Sequence, residues 1–135
     1  MKIFVVDTNV FVSAFITPHG ASARFIGEML ENKFSIAFDN RIIAEYIEVL
    51  SRPKFGLSEE DIGFVKASVL LQEKLSPIFV SDELPDEDDK MFIEVALASR
   101  DKIIVTGNAK HYPPKLMKKL GITIFSPSDA LKFFQ

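Results

Sequence analysis

The sequence predicts an α/β fold in which helices cover both faces of a mostly parallel central sheet. Two unbroken apolar runs, Ile3–Val6 and Ile103–Val105, are typical of parallel strands that are buried on both faces. Segments with helical spacing alternate with such runs through short connections, as they do in parallel sheets. At 135 residues and 47% hydrophobic content, the chain is expected to form one domain, residues 1–135, with a well-buried core.

The other elements follow from the spacing of apolar residues and from residues that begin helices. Asp39 or Asn40 is expected to cap one helix. Ser58, with Asp61 three positions later, forms an acidic version of the capping box ahead of another. The predicted helices are residues 11–15, 21–30, 41–50, 90–99 and 128–134, together with the helix that Ser58 begins, whose body is residues 62–75. The further predicted strands are residues 34–38, 77–80 and 122–125.

Composition limits the chemistry that the chain can perform. The absence of cysteine removes disulfides, thiolate nucleophiles and thiolate-bound zinc, so a metal would bind to oxygen or imidazole. The first apolar run stops at Asp7, far short of the ~20 residues that span a membrane, and we expect a soluble cytoplasmic protein with no membrane partner. Because the net charge is −3, a nucleic-acid substrate would require a local basic patch.

Asp7 ends the first apolar run and is followed by Thr8 and Asn9. Ligands of open parallel sheets bind outside the carboxyl ends of the strands, which places these side chains at a candidate site. The alternative is structural, since Asp and Asn often form turns or helix caps at strand ends. The strand at residues 103–105 also ends in small polar residues, Thr106 and Asn108, which repeats the pattern.

A second candidate acid lies on the helix predicted at residues 41–50. On a helical wheel Glu45 lies at the edge of the apolar face, whereas Glu48 points towards solvent. Glu45 can therefore reach a cleft. The alternative is an ordinary solvated position at the rim of the helix.

The acidic run 86–89 opens the helix predicted at residues 90–99. A helix N-terminus accounts for one or two carboxylates but not readily for four. The wheel places Asp89 on the inward face, with Lys90 and Glu94 outward as an i, i+4 pair. Carboxylates clustered near a buried face repel one another unless a cation or protons compensate their charge, which favours a divalent metal.

Residues 110–119 contain the most concentrated basic stretch of the sequence. Its members are Lys110, His111, Lys115, Lys118 and Lys119. Such a stretch is usually a solvated face, but beside an acidic metal site it is also a candidate surface for binding phosphates.

Four motifs occur in order along essentially the whole chain: VVDTNVFVSA, AEYIEVLSRPKF, DEDDKMFIEVALAS and IVTGNAKHYP. Together they closely resemble PIN-domain ribonucleases, in particular the toxin components of prokaryotic toxin–antitoxin systems. The resemblance implies a three-layer α/β/α sandwich with strand order 3-2-1-4-5. It also implies a Mg²⁺- or Mn²⁺-dependent site that hydrolyses phosphodiester bonds in RNA.

The resemblance assigns catalytic and metal-binding roles to three acids and supporting roles to three polar residues. The acids are Asp7, Glu45 and Asp89, and the supporting residues are Asn9, Thr106 and Asn108. Carboxylates and retained waters are the ligands that Mg²⁺ prefers. Many relatives carry a fourth Asp where this chain has Asn108, and the lost charge predicts that a second metal binds weakly or only with substrate phosphate.

Three other classes of protein share part of this pattern. A phosphatase of haloacid-dehalogenase type also has an Asp after its first strand, but its second Asp is replaced here by Asn9. A receiver-type signalling domain requires paired acids and a central phosphoacceptor Asp in an order that is absent. A non-catalytic PIN-like RNA-binding module is the serious alternative, and Asn108 is the residue that favours it.

The same resemblance suggests the partners. Lys110, His111 and Lys115 are the candidate RNA-binding residues, and an antitoxin protein is the candidate regulator. We also expect a homodimer, because thirteen Phe in 135 residues leave room for a hydrophobic dimer face, the alternative being that they fill the core.

Overall fold

The computed structural model describes residues 1–133 and contains a five-stranded parallel sheet flanked by helices. The strands are β1 Ile3–Val6, β2 Ser35–Phe38, β3 Glu73–Lys74, β4 Ile103–Val105 and β5 Thr123–Phe125. Their order across the sheet is 3-2-1-4-5, and all four pairings are parallel. The predicted three-layer α/β/α class and strand order are confirmed.

Seven α-helices and three short 3₁₀ turns connect the strands within residues 1–133. The helices are α1 Thr8–Ile16, α2 Ala21–Leu30, α3 Asn40–Leu50, α4 Glu59–Leu70, α5 Lys90–Ala98, α6 Pro114–Leu120 and α7 Pro127–Phe133. The 3₁₀ turns are Pro53–Phe55, Glu87–Asp89 and Ala109–His111. Among these residues, none of the helices combines the length and the apolar character needed to cross a membrane.

Two helix starts were predicted correctly from capping chemistry. The Asp39 side chain accepts a 3.0 Å hydrogen bond from the Ile42 backbone N–H and begins α3. Ser58 and Asp61 form the reciprocal capping box that begins α4. Both caps satisfy backbone donors that a helix start would otherwise leave unpaired.

Several boundaries differ from the predictions. Helix α1 begins at Thr8 rather than residue 11, so the chain turns directly from β1 into the helix. Helix α4 ends at Leu70 instead of residue 75. The third strand is Glu73–Lys74 and not residues 77–80, because it is defined by pairing with β2 rather than by an apolar run. Helix α6 was not predicted, and residue 134 of the predicted last helix lies outside the described part.

The prediction that Lys90 and Glu94 form an outward pair is wrong. The Glu94 side chain is only 4% exposed and binds Arg41 at 2.7 Å, while Lys90 pairs with Glu87. The reason is a chain segment that covers this side of α5. The Val80 N–H donates to the Glu94 carboxylate at 2.9 Å, and the Ile78 N–H donates to the Glu94 carbonyl oxygen at 3.0 Å.

The core is centred on β1, whose four residues are all buried. Phe4 packs against Phe25 and Phe34 with ring centroids 5.7 and 5.0 Å apart. Six of the phenylalanines in the described chain are buried, which supports the core-filling interpretation for about half of them. Phe64 and Phe79, by contrast, are exposed, and a homodimer stays a prediction.

The parallel sheet brings the candidate residues to one edge. Asp7 follows β1, and Thr106 follows β4, its neighbour in the sheet. The Asp7 N–H donates to the Val105 carbonyl oxygen at 2.9 Å, so the ladder between the two strands continues as far as the acid. The carboxyl ends of both strands therefore hold polar side chains against each other.

Candidate active site

A cleft of about 290 Å³ opens at the carboxyl edge of the sheet. Its lining includes Asp7, Asn9, Glu45, Phe55, Asp89 and His111. The structure thus brings together the three acids that lie 38 and 44 positions apart along the chain, from the end of β1, the middle of α3 and the start of α5. Three carboxylates therefore line one small cleft, but within residues 1–133 the ligand atoms that lie within 4.8 Å of one another are those of Asp86, Asp89 and His111.

Asp7 occupies the N-cap position of α1, but its side chain makes no capping hydrogen bond. Its Oδ2 instead accepts two hydrogen bonds of 2.9 Å, from the hydroxyls of Thr106 and Tyr112. The carboxylate is only 5% exposed. Two donors on one oxygen fix the orientation of the carboxylate, so the capping interpretation does not describe this side chain.

A polar network ties the ends of β1 and β4 together. The Asn9 side chain donates to the Thr106 hydroxyl at 3.3 Å and accepts from the Gly107 N–H at 2.8 Å. The Asn108 N–H donates to the same hydroxyl at 3.0 Å. A Cβ at position 107 would lie 3.3 Å from Asn9 Oδ1, so glycine permits this close approach. The network holds Thr106 in place beneath Asp7.

Asp89 begins α5 without capping it, and it is 7% exposed. Its Oδ2 is buried and receives no hydrogen bond in the described structure. His111 Nδ1 lies 3.0 Å from this oxygen, an ion-pair distance, but the ring N–H is not aligned for a hydrogen bond. Burial raises the pKa of Asp89 to about 7, the nearby charge of Asp7 adds to this, and His111 opposes it.

Glu45 lies on the cleft side of α3 and is partly buried. The Thr8 hydroxyl donates to its Oε2 at 3.4 Å. Burial raises the pKa of Glu45, and the bond from Thr8 opposes that rise. Glu48 is 61% exposed and pairs with Arg52 at 2.9 Å on the outer surface, where the wheel placed it.

The basic residues divide into two groups. Lys110 and Lys115 are exposed, Lys110 in the turn directly before His111 and Lys115 in the first turn of α6. His111, which the sequence placed with them, turns towards Asp89. Lys119 pairs with Asp82 at 3.0 Å.

Sequence reasoning missed Tyr112. This side chain is 2% exposed and places its hydroxyl on Asp7, and burial among acids raises the pKa of that hydroxyl. The available signal was an aromatic residue within a stretch of Lys and Pro, close after a strand that ends at the site. Asp86, the first residue of the acidic run 86–89, caps the turn Glu87–Asp89. It lies so close that Asp86, Asp89 and His111 each offer a ligand atom within 4.8 Å of the other two.

A parallel sheet of order 3-2-1-4-5 with carboxylates gathered at its carboxyl edge defines a PIN-like α/β domain. The PIN domain family matches residues 4–110, and the chain belongs to that family. PIN domains are generally nucleases, and they typically bind divalent metals.

Two other proteins are similar to this chain. The uncharacterized protein MJ1680 of Methanocaldococcus jannaschii is 31% identical over 108 residues, which cover 77% of this chain and 69% of that protein. A chain in the crystal structure of VapBC2 from Rickettsia felis bound to a DNA fragment from their promoter matches with a TM-score of 0.54 at 18% identity. The match covers 93% of this chain and 98% of the other, and it shows a shared fold.

Proposed function

We propose that this protein is a Mg²⁺- or Mn²⁺-dependent endoribonuclease that hydrolyses phosphodiester bonds in RNA. The observation that carries the proposal is the Asp89 carboxylate, which is buried in the cleft with one oxygen that receives no hydrogen bond. A buried carboxylate is costly unless a proton or a cation compensates its charge. Because this chain belongs to the PIN family, we infer that a divalent cation neutralises the charge of this carboxylate.

Asp7, Glu45 and Asp89 would hold the ion. When bound, a divalent cation supplies an activated water and neutralises charge that builds on the scissile phosphate. Thr106 and Tyr112 both donate to Oδ2 of Asp7, so Oδ1 would be the oxygen offered to a cation. Asp7 would thereby be held in one orientation towards the ion, whereas Glu45 and Asp89 would have to approach it.

The exposed ammonium groups of Lys110 and Lys115 would bind phosphates that flank the cleaved bond. The overall charge of −3 does not attract RNA, so this local patch supplies the attraction. Phosphate contacts carry no base specificity, and we therefore expect them to position the strand across the cleft without selecting its sequence.

We further propose that the protein is a cytoplasmic toxin of a toxin–antitoxin pair. The motif resemblance and the fold shared with a VapBC2 chain support this assignment. An apolar groove of about 230 Å³ between α1, α2 and α4, bordered by Phe15, Leu30 and Phe64, supports a protein partner. The test is whether the product of an adjacent gene co-purifies with this chain and inhibits its activity.

The nuclease proposal is tested with purified protein, single-stranded RNA and added Mg²⁺ or Mn²⁺, with Asp7→Asn as the matched inactive control. We expect cleavage that requires the metal and stops with EDTA. Cleavage that continues unchanged in chelator overturns the metal mechanism. RNA binding without cleavage by any metal would instead support the non-catalytic PIN-like module.

A further inference from the structure

We propose that His111 is a metal ligand, and that with Asp89 and Asp86 it makes the centre prefer transition-metal ions to Mg²⁺. The inference rests on the proposed nuclease site, because Asp89 would be shared with the carboxylates of the cleft. It adds an imidazole ligand to a site whose three assigned ligands are all carboxylates.

The possible ligand atoms of Asp86, Asp89 and His111 lie close together. Asp86, Asp89 and His111 each place one ligand atom within 4.8 Å of the other two. His111 Nδ1 and Asp89 Oδ2 are 3.0 Å apart. Two ligands at right angles around an ion, each roughly 2.1 Å from it, lie about 3.0 Å from each other. The pair already has the separation of neighbouring ligands.

Oδ2 of Asp89 also has no well-aligned hydrogen-bond donor. Its solvent exposure is near zero, and the N–H of His111 is not directed along the line that a hydrogen bond requires. If the histidine served only to neutralise the carboxylate, a direct N–H···O bond would be the expected arrangement. A buried carboxylate oxygen 3.0 Å from a ring nitrogen, without well-aligned hydrogen-bond geometry, is an arrangement that two ligands of one metal ion would have.

The second ring nitrogen of His111 contacts the side chain of Asn108. The Asn108 side-chain amide lies 2.9 Å from His111 Nε2, and the Asn108 backbone N–H donates to the Thr106 hydroxyl. With the amide nitrogen facing Nε2, the ring proton lies on Nδ1, opposite Asp89. A half turn of the amide places its oxygen there instead, so Nε2–H donates to Asn108 and the Nδ1 lone pair faces the acids. Asn108 is thus a positioning residue for His111.

Ligand chemistry then determines which ions benefit. Imidazole binds first-row transition metals well, whereas Mg²⁺ prefers carboxylates and water. For a given set of nitrogen and oxygen ligands, affinity rises from Mn²⁺ to Co²⁺. A centre that includes His111 should therefore bind Co²⁺ and Mn²⁺ more tightly than Mg²⁺.

The test measures binding of MgCl₂, MnCl₂ and CoCl₂ to the full chain by calorimetry, without RNA. His111→Gln should raise the Kd for Co²⁺ and Mn²⁺ about 10- to 100-fold and change that for Mg²⁺ by less than about twofold. The visible absorption of bound Co²⁺ should change as well. His19→Gln is the matched control, since the other histidine of the chain is exposed in the loop after α1. An equal loss for all three ions, or unchanged Co²⁺ binding, overturns the inference.

Three further variants distinguish the loss of a metal ligand from a simple folding defect. Asp86→Asn should weaken Co²⁺ and Mg²⁺ binding alike, because a carboxylate is a ligand for both ions, and its side chain is exposed, so folding should survive. Asn108→Leu should weaken Co²⁺ binding, whereas Asn108→Asp retains an acceptor for Nε2–H and should preserve it. If Asn108→Leu leaves Co²⁺ binding intact while circular dichroism shows a native fold, Asn108 does not position His111.

Failure of this inference is separable from failure of the proposed function. If the native chain cleaves RNA with Mg²⁺, and His111→Gln binds Co²⁺ as tightly as the native chain does, then the nuclease proposal stands and His111 is not a metal ligand. If the protein binds Co²⁺ through His111 but cleaves no RNA, then the metal centre stands and the nuclease proposal fails.

Discussion

The Tyr112 hydroxyl donates a 2.9 Å hydrogen bond to Oδ2 of Asp7, although 105 positions separate the two residues. Tyr112 follows the 3₁₀ turn that carries His111, so one short segment supports one cleft acid and places an imidazole beside another. The orientation of Asp7 therefore depends on a segment that follows β4, and on Thr106 at the end of that strand.

Tyr112→Phe should weaken metal binding more than its effect on folding explains. Loss of one hydrogen bond to a charged group should lower the free energy of unfolding by about 1–2 kcal/mol. The freed carboxylate should also bind Mn²⁺ about 10-fold more weakly, because an orienting partner is lost. Urea melts and calorimetry measure the two effects.

Tyr46→Phe is the matched control for that prediction. Tyr46 is equally buried, but its hydroxyl donates to the Val6 carbonyl oxygen and not to a carboxylate. A comparable loss of stability with nearly unchanged Mn²⁺ affinity is expected. If both variants lose metal affinity equally, Tyr112 acts through stability alone.

Asp7→Asn and Asp89→Asn should each reduce RNA cleavage by at least about 100-fold while the metal-free protein stays folded. Each substitution removes one charged ligand. It also removes the repulsion between the two carboxylates, which is visible in the raised pKa of Asp89 beside Asp7. Thermal melts without metal should show unchanged or higher stability. Clear destabilisation by both variants would indicate that the carboxylates serve the fold.

The Asp89 variant also carries a prediction for pH. The folded protein holds the Asp89 proton up to about pH 7, whereas the unfolded chain releases it near its ordinary value of about 3.9. Between these values the folded state binds more protons, so the stability of the metal-free protein falls as pH rises. Asp89→Asn should gain about 1 kcal/mol relative to the native chain on going from pH 4 to pH 8, a figure reduced for solvent screening. Asp88→Asn, at an exposed neighbouring position, is the control variant.

Glu94→Gln should destabilise the protein by about 1–2 kcal/mol, because it removes the charge that faces Arg41 from a buried position. The estimate lies below that for a fully buried pair, since the Arg41 side chain is 40% exposed. Glu48→Gln breaks another Glu–Arg pair on the surface and should cost no more than about 0.5 kcal/mol. Denaturant melts of the two variants compare them, and equal effects would mean that burial of Glu94 contributes little.

The sequence predicted the sheet and the edge where the acids meet, because local patterns encode both. Ile3–Val6 is apolar throughout and stops at Asp7, and the run Ile103–Val105 stops in the same way at Thr106. Parallel strands then bring these ends together by topology alone. Capping by Asp39 was predictable for a similar reason, since the signal lies within three residues.

The parts that escaped prediction depend on contacts between distant segments. Strand β3 consists of two exposed residues, Glu73 and Lys74, and it has no apolar signature. The wheel placed Glu94 outward because a wheel cannot show that residues 77–80 cross that side of α5. Tyr112 and His111 reach the acids only through the turn after β4, where spacing along the chain gives no direction for a side chain.

The remaining prediction separates Glu45 from Glu48, which lie less than one turn apart on α3. Glu45 lines the cleft and accepts a hydrogen bond from Thr8, whereas Glu48 is exposed and pairs with Arg52. Glu45→Gln should weaken Mn²⁺ binding and slow RNA cleavage together, because the site loses one anionic ligand.

Glu48→Gln makes the same change of side chain and of charge on the same helix, so it is the control for Glu45→Gln. We expect Mn²⁺ affinity and cleavage within about twofold of the native chain, since surface changes usually fall within about ±0.5 kcal/mol. Calorimetry with Mn²⁺ and single-turnover cleavage of RNA measure both variants. Equal losses, or a loss confined to Glu48→Gln, would mean that the face of α3 turned to the metal is not the one that carries Glu45.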